Sequence, residues 1–427
     1  DQPFLAMSRR LLLPPLVALC AVGLFTAAHV YPIDGYERTG IRRLLYLERV
    51  QDGQLEGDLP PEGARRPMST IQLHLTGTDS LDTTPSPDPT LQRRLERLFA
   101  DRDDSYGVAV FDVTPGAPLR YAELRADQRY QPGSVGKLAI APGLFSELRR
   151  RYPNRPERRR RLLKDHRVEA GQWIVSDHHT VPIFDPETNE YTRRQPRPSD
   201  VFSLYEWLDF MLSPSSNAAA SVVWKEATLM RAFGDEYPVS AEREEEFFAT
   251  TSADSLGRIA YRAVHEPLAD AGISSDMWRL GSFFTHTASR RIDVPGGSRG
   301  TPRGLMRWML RLEQGQIVDA WSSLELKRLL YMTGRRIRYA SAPTLRDDAV
   351  YFKSGSFYSC EEEEGFTCEP YTGNEFNYMN SIAIVEAADG RVYMVSMMSN
   401  VLRVNSAVEH QSLATFIERI VADLHEG

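Results

Sequence analysis

Ser134-Val135-Gly136-Lys137, Ser215-Ser216-Asn217 and Lys353-Ser354-Gly355 follow one another along a chain of 427 residues, and their setting decides its fold. As patterns they are S-x-x-K, S-x-N and K-[ST]-G. Each alone is weak, since an S-x-x-K arises about once by chance in a chain this long at average residue usage. Taken singly, Ser134 would be a helix cap, Lys137 a solvated helix residue, and Ser215 and Asn217 cap or turn residues. Fixed order, wide spacing and fitting local structure lift the three above coincidence.

Pro132-Gly133 precedes Ser134, and residues 137–148 are good helical sequence. Ser134 is therefore predicted at a helix N-terminus, with Lys137 one turn on and on the same face. An apolar helix over 204–211 is predicted to stop at Ser213-Pro214, just before Ser215, and a strand over 349–352 to lead into Lys353. Around these lie a predicted helix over 91–99 and strands over 106–113 and 119–124. A helix opened by Thr301 as cap and Pro302 as first residue comes next, then a hairpin of 382–386 with 391–399 about Asp389-Gly390, and a closing helix over 413–424. A helix and two strands, a large helical insert, three strands and a terminal helix make an α/β layered domain.

A serine hydroxyl is a weak nucleophile until a neighbouring base takes its proton. Lys137 is the candidate base if the site keeps it partly neutral, with burial and the charge of Lys353 both lowering its pKa. The helix start under Ser134 offers backbone N–H groups to a developing oxyanion. Ser215 is placed to pass the proton to a leaving nitrogen, and Asn217 to bond a substrate carbonyl. Lys353 and the hydroxyls of Ser354 and Ser356 would bind a substrate carboxylate. The backbone at Ser356 would give the second oxyanion donor, and Gly355 would let substrate lie close along the strand.

This constellation resembles the class A β-lactamase-like serine hydrolases of the β-lactamase and penicillin-binding superfamily, from about Leu91 to the C-terminus. The resemblance implies a β-lactamase/transpeptidase-like α/β fold: an antiparallel sheet flanked by helices, an all-helical subdomain, and the site in the cleft between. It implies Ser134 as acylated nucleophile, Lys137 as its base, Ser215 as proton relay and Lys353 as cation for the carboxylate. The implied substrates are β-lactams or the D-alanyl amides of peptidoglycan stem peptides, with no cofactor. One departure is visible. Class A β-lactamases carry a glutamate in an E-x-x-L-N loop that activates the deacylating water, and no such pattern lies between Asn217 and Lys353. Glu266, in His265-Glu266-Pro267-Leu268, is the nearest candidate. Without a base of this kind, slow release as in a penicillin-binding DD-peptidase is the alternative. A non-catalytic cell-envelope binding protein on the same fold is another.

A net charge of −7 argues against a nucleic-acid partner. Arg9 and Arg10 precede an apolar run over 11–30 that contains Cys20, which reads as a signal anchor or signal peptide. The expected division is an anchor over 1–30, a linker with a short membrane-proximal helix over 31–90 and the catalytic domain over 91–427. That places the domain in the periplasm, anchored to the inner membrane by 11–30. Within the linker, Ile41, Leu44, Leu45, Leu47 and Val50 recur at helical spacing, and residues 71–75 read as a strand. Cys360 and Cys368 could bridge in an oxidising compartment or stay as thiols. The arginine-rich run 149–161 reads as a solvated helix end and loop. The acidic run 361–364 reads as a charged tip or as a fence at the cleft mouth. His178-His179 lacks further ligands at metal spacing, so no metal is expected.

Overall fold

The computed structural model describes residues 33–78, 81, 83–331 and 336–426, and the candidate anchor over 11–30 lies outside them. The chain is organised by five strands: β1 (Gly107–Asp112), β2 (Arg120–Leu124), β3 (Ala349–Ser359), β4 (Phe376–Glu386) and β5 (Val392–Asn400). They form one antiparallel sheet in the order β2-β1-β5-β4-β3. Every residue of β1 is buried, because a run such as Val108-Ala109-Val110-Phe111 needs cover on both faces. Val108 and Val110 enter one core, Ala109 and Phe111 the other. β4 and β5 make the expected hairpin, and Gly390 in its turn takes a φ of 93°, where a side chain would be strained.

The helices used below are α1 (Arg42–Gln51), α2 (Pro89–Phe99), α3 (Lys137–Arg151), α4 (Leu204–Leu212), α5 (Asn217–Phe233), α6 (Ala253–Asp270), α7 (Pro302–Glu313), α8 (Ala320–Tyr331) and α9 (Ala407–Asp423). α2 and α9 cover one face of the sheet, with Leu91, Leu95 and Phe99 joining Leu413, Ile417 and Val421 over Val110, Val385 and Val395. Asp88 caps α2, accepting from the backbone of Thr90 and Leu91 at 3.0 and 2.8 Å. Thr301 caps α7 by accepting from Gly304 N at 3.0 Å, with Pro302 opening the helix. The other face meets α7, α8 and the helical subdomain, in which α5 is buried from Ala218 to Met230. The charges it takes inside are paired, with Lys225 Nζ 2.7 Å from Glu226.

The segment expected as a linker is irregular but not detached. Ile41, Leu44, Ile71 and Leu75 all sit in the larger core, so the apolar side of α1 is spent on the protein itself. Residues 71–75 do not form a strand. They are instead held across the domain: His74 N donates to Glu313 at 2.8 Å, and Lys327 Nζ donates to Gln72 O at 2.6 Å. Arg43 is paired with Asp209 through two 2.6 Å hydrogen bonds, both side chains buried. The arginine-rich run is also less solvated than expected. Pro156–Asp165 is a helix, and Arg159 is buried with its guanidinium 2.6 Å from Asp319. Cys360 and Cys368 form a disulfide. Among the described residues no helix is long and apolar enough to cross a membrane.

Candidate active site

Ser134 stands in the single 3-10 turn Gly133–Gly136 that runs straight into α3. This turn is pressed against the edge strand β3. A Cβ on Gly133, whose φ is 54°, would lie 2.6 Å from Ser356 O, and one on Gly355 would lie 2.8 Å from Ser134 N. Both are closer than real side chains approach, so glycine on each side of the seam is what lets the backbone of Ser134 meet that of Gly355 and Ser356. Asn380, on β4, fixes the turn by donating to Gln131 O and Pro132 O at 2.9 and 3.1 Å.

Behind Ser134, Lys137 is wholly buried. Its Nζ lies 2.8 Å from Ser134 Oγ, 2.6 Å from Ser215 O and 2.7 Å from Asn217 Oδ1. Burial pulls its pKa down to about 7, opposed by the nearby carboxylate of Asp177. The expected contribution from Lys353 therefore gives way to burial as the cause. Two of the three neighbours are carbonyl oxygens and can only accept. A neutral amine spends both of its N–H groups on them, which leaves its lone pair toward the hydroxyl of Ser134. Ser215 occupies a left-handed backbone conformation with φ 68°, and its Oγ accepts from Lys353 Nζ at 2.7 Å and lies 3.4 Å from Lys137 Nζ. A strained non-glycine residue of this kind costs about 1–3 kcal/mol and must be held by its surroundings. Here Ser216 N donates to Phe210 O at 2.9 Å, at the end of α4.

Ser134, Ser215, Lys353, Ser354, Gly355 and Ser356 thus line a common cleft. Asn217 reaches it through Lys137, and with its amide oxygen engaged there its N–H groups are left for a ligand carbonyl. The cleft also holds residues that carried no motif. Arg338 Nη1 donates to Gly355 O at 2.9 Å, and its guanidinium lies 5.3 Å from the ring of Tyr371. Burial lowers its pKa, against the pull of Tyr371. Asp177 is outside the lining itself, buried and bonded to His179, which is part of it, and to the start of α5.

Glu266 is not part of this cleft. It projects from α6 into a group of arginines, hydrogen-bonded to Arg150 at 2.8 Å, to Arg262 at 2.6 Å and to Arg231. Partial burial would raise its pKa, but those hydrogen bonds outweigh that and hold it at about 2. Phe284 packs against Lys137, its ring centre 4.9 Å from Nζ. Among the described residues, the lining of the cleft includes no aspartate or glutamate.

No family model matches the chain, and no curated protein does. Solved structures do. A mutant of PBP-A determined as an acyl-enzyme complex with penicillin G is similar with a TM-score of 0.50 and 15% identity, over 81% of this chain and 98% of that one. A class A β-lactamase from Bacteroides cellulosilyticus is similar with a TM-score of 0.52 and 15% identity, over 80% and 100%. The protein has the β-lactamase/transpeptidase-like fold. At that identity the likeness speaks for the fold alone.

Proposed function

We propose that this protein is an exported serine acyl-transfer enzyme that forms an acyl-enzyme at Ser134 with β-lactams or D-alanyl-peptide amides. The observation that carries the reading is the contact of buried Lys137 with Ser134, with burial holding the amine near its neutral form. Lys137 takes the hydroxyl proton as Ser134 Oγ bonds to the carbonyl carbon. The oxyanion is received by backbone N–H groups of Ser134 and Ser356. As the C–N bond breaks, Ser215 passes a proton to the leaving nitrogen, reloaded from Lys137. Lys353, with Ser354 and Ser356, holds the substrate carboxylate, and Arg338 adds a second cation. Export accords with the disulfide and with the charged, then apolar, N-terminus, with the membrane as its partner there.

Slow release of the acyl group is favoured within this reading by the carboxylate-free cleft lining and by Phe284 against Lys137. Mass spectrometry after incubation with a penicillin tests both parts. One penicilloyl adduct per chain, absent in Ser134→Ala and persisting for minutes after excess drug is removed, is the expected result. No adduct on a folded protein would favour the non-catalytic binding role.

A further inference from the structure

Leu280 and Phe284 cover the buried end of the site, and acyl transfer as described above does not say what holds them there. A Cβ on Gly136 would lie 2.5 Å from Leu280 Cδ2, so a glycine beside Lys137 is what lets Leu280 close down on the Ser134 turn. Leu280 is itself buried, and the ring of Phe284 lies against Lys137 Nζ. Because burial is what brings Lys137 near neutrality, this cover belongs to the chemistry of the base. The segment is fastened at both ends. Thr285 N donates to Ser221 Oγ of α5 at 3.2 Å, and Thr285 Oγ1 to Trp173 O at 2.6 Å. At the other end, Leu280 N donates to His265 Nε2 at 3.0 Å.

His265 is built for that contact. It sits on α6, outside the cleft lining, with its ring stacked on Tyr261 at 3.8 Å and its Nδ1 2.8 Å from Tyr261 O. A backbone amide only donates, so Nε2 carries the lone pair and Nδ1 the proton, which goes to Tyr261 O. Burial lowers the pKa of His265 to about 4, against the pull of Tyr261 O, so this neutral form persists wherever Lys137 can act as an amine. We propose that His265 is a positioning residue for the acyl-transfer base: its Nε2 holds the backbone of Leu280, so that Leu280 and Phe284 keep water from Lys137. The inference rests on the acyl-transfer reading, in which Lys137 takes the proton of Ser134. Two charged groups face Lys137 from other elements, Asp177 and, across Ser215 Oγ, Lys353. Both have partners of their own and do not depend on His265.

The test is the pH profile of Ser134 acylation by benzylpenicillin, measured on folded protein. In His265→Leu the cover loosens, water reaches Lys137, and its pKa rises toward the ordinary lysine value. The midpoint should move up by about one pH unit, which cuts the neutral fraction at pH 7 from about one half to about one tenth and slows acylation there about fivefold. Near about pH 10 the variant and wild-type rates should agree within about twofold, because the amine is then largely neutral in both. His265→Gln, whose side-chain oxygen can accept from Leu280 N, should bring the midpoint back toward the wild-type value. Leu280→Ala opens the cover without touching α6 and should shift the midpoint the same way, which keeps the test open if His265→Leu does not fold. Uniform slowing at every pH with the midpoint unmoved would reduce His265 to a structural role, and an unchanged profile in both variants would detach the cover from Lys137. Either result would overturn the inference and leave acyl transfer standing. A wild-type protein that benzylpenicillin does not acylate would overturn acyl transfer and this inference together.

Discussion

At the scale of single residues, the protonation of Lys137 governs the proposed chemistry. None of its three close contacts is to a carboxylate, so burial dominates and its proton is lost at about pH 7. The sign follows directly. Below that pH the ammonium has no lone pair to offer Ser134, and above it the amine does, so the acylation rate should rise through about pH 7 to a plateau. A rate measured with penicillin that stays flat across that range would remove Lys137 as the base. Lys137→Ala should slow acylation by about two to four orders of magnitude, the usual contribution of a positioned base. Stopped-flow or mass-spectrometric acylation rates on the folded variant check this.

Among the elements, the seam between the Ser134 turn and β3 is the feature most sensitive to a small change. A methyl group on Gly355 would lie 2.3 Å from Pro132 O and 2.6 Å from Val135 N, atoms of backbone that cannot step aside. Gly355→Ala should therefore cost about 1–3 kcal/mol of stability by overpacking and part the oxyanion donors, so that acylation falls even in molecules that remain folded. Denaturant unfolding and acylation rates on one preparation would show the two losses, and a variant that keeps the wild-type rate would disprove the role of the seam. The loop closed by Cys360 and Cys368 bears on the same strand, since it is followed by Tyr371, whose ring meets Arg338. Cys360→Ser with Cys368→Ser should weaken saturation by substrate more than it lowers the limiting rate, because Tyr371 loses its fixed place while Ser134 and Lys137 do not. Much of this level was legible beforehand. The three motifs, the capped helix at Thr301-Pro302 and the hairpin at Asp389-Gly390 are local signals, and each lies within a dozen residues. Asp177, Arg338 and Phe284 were not legible, because only the fold brings Arg338 into the cleft lining and Asp177 and Phe284 near Lys137. The His178-His179 pair was weighed only as a metal ligand, and Asp177 beside it gave no sign that it would cap a helix forty residues away. Glu266 drew attention by proximity to a pattern, yet only the fold shows the arginines that claim it.

For the whole molecule, the decisive point is where the domain begins. Composition marks residues 57–67 and 76–89 as irregular, and an irregular segment reads as a linker when nothing reveals what its few apolar residues touch. Here Ile41, Leu44, Ile71 and Leu75 enter the larger core, each no more than 4% exposed. Polar and charged groups lock the segment at several points: Arg43 on Asp209 of α4, Arg42 on Glu206, and His74 on Glu386, which also meets Lys327. Such a wrap is part of the fold rather than a tether to it. Arg43→Met, which strands the buried Asp209, should cost about 3–5 kcal/mol, as breaking one side of a buried pair usually does. Arg43→Met with Asp209→Leu removes both charges and should recover most of that loss. Deleting residues before Asp88 should do worse than either, since it uncovers apolar core as well as taking Arg43 from Asp209 and His74 from Glu386. Thermal unfolding of these three proteins beside the parent separates the cases. A deletion variant that melts with the parent would return residues 33–88 to the status of a linker, and the domain would begin at α2 after all.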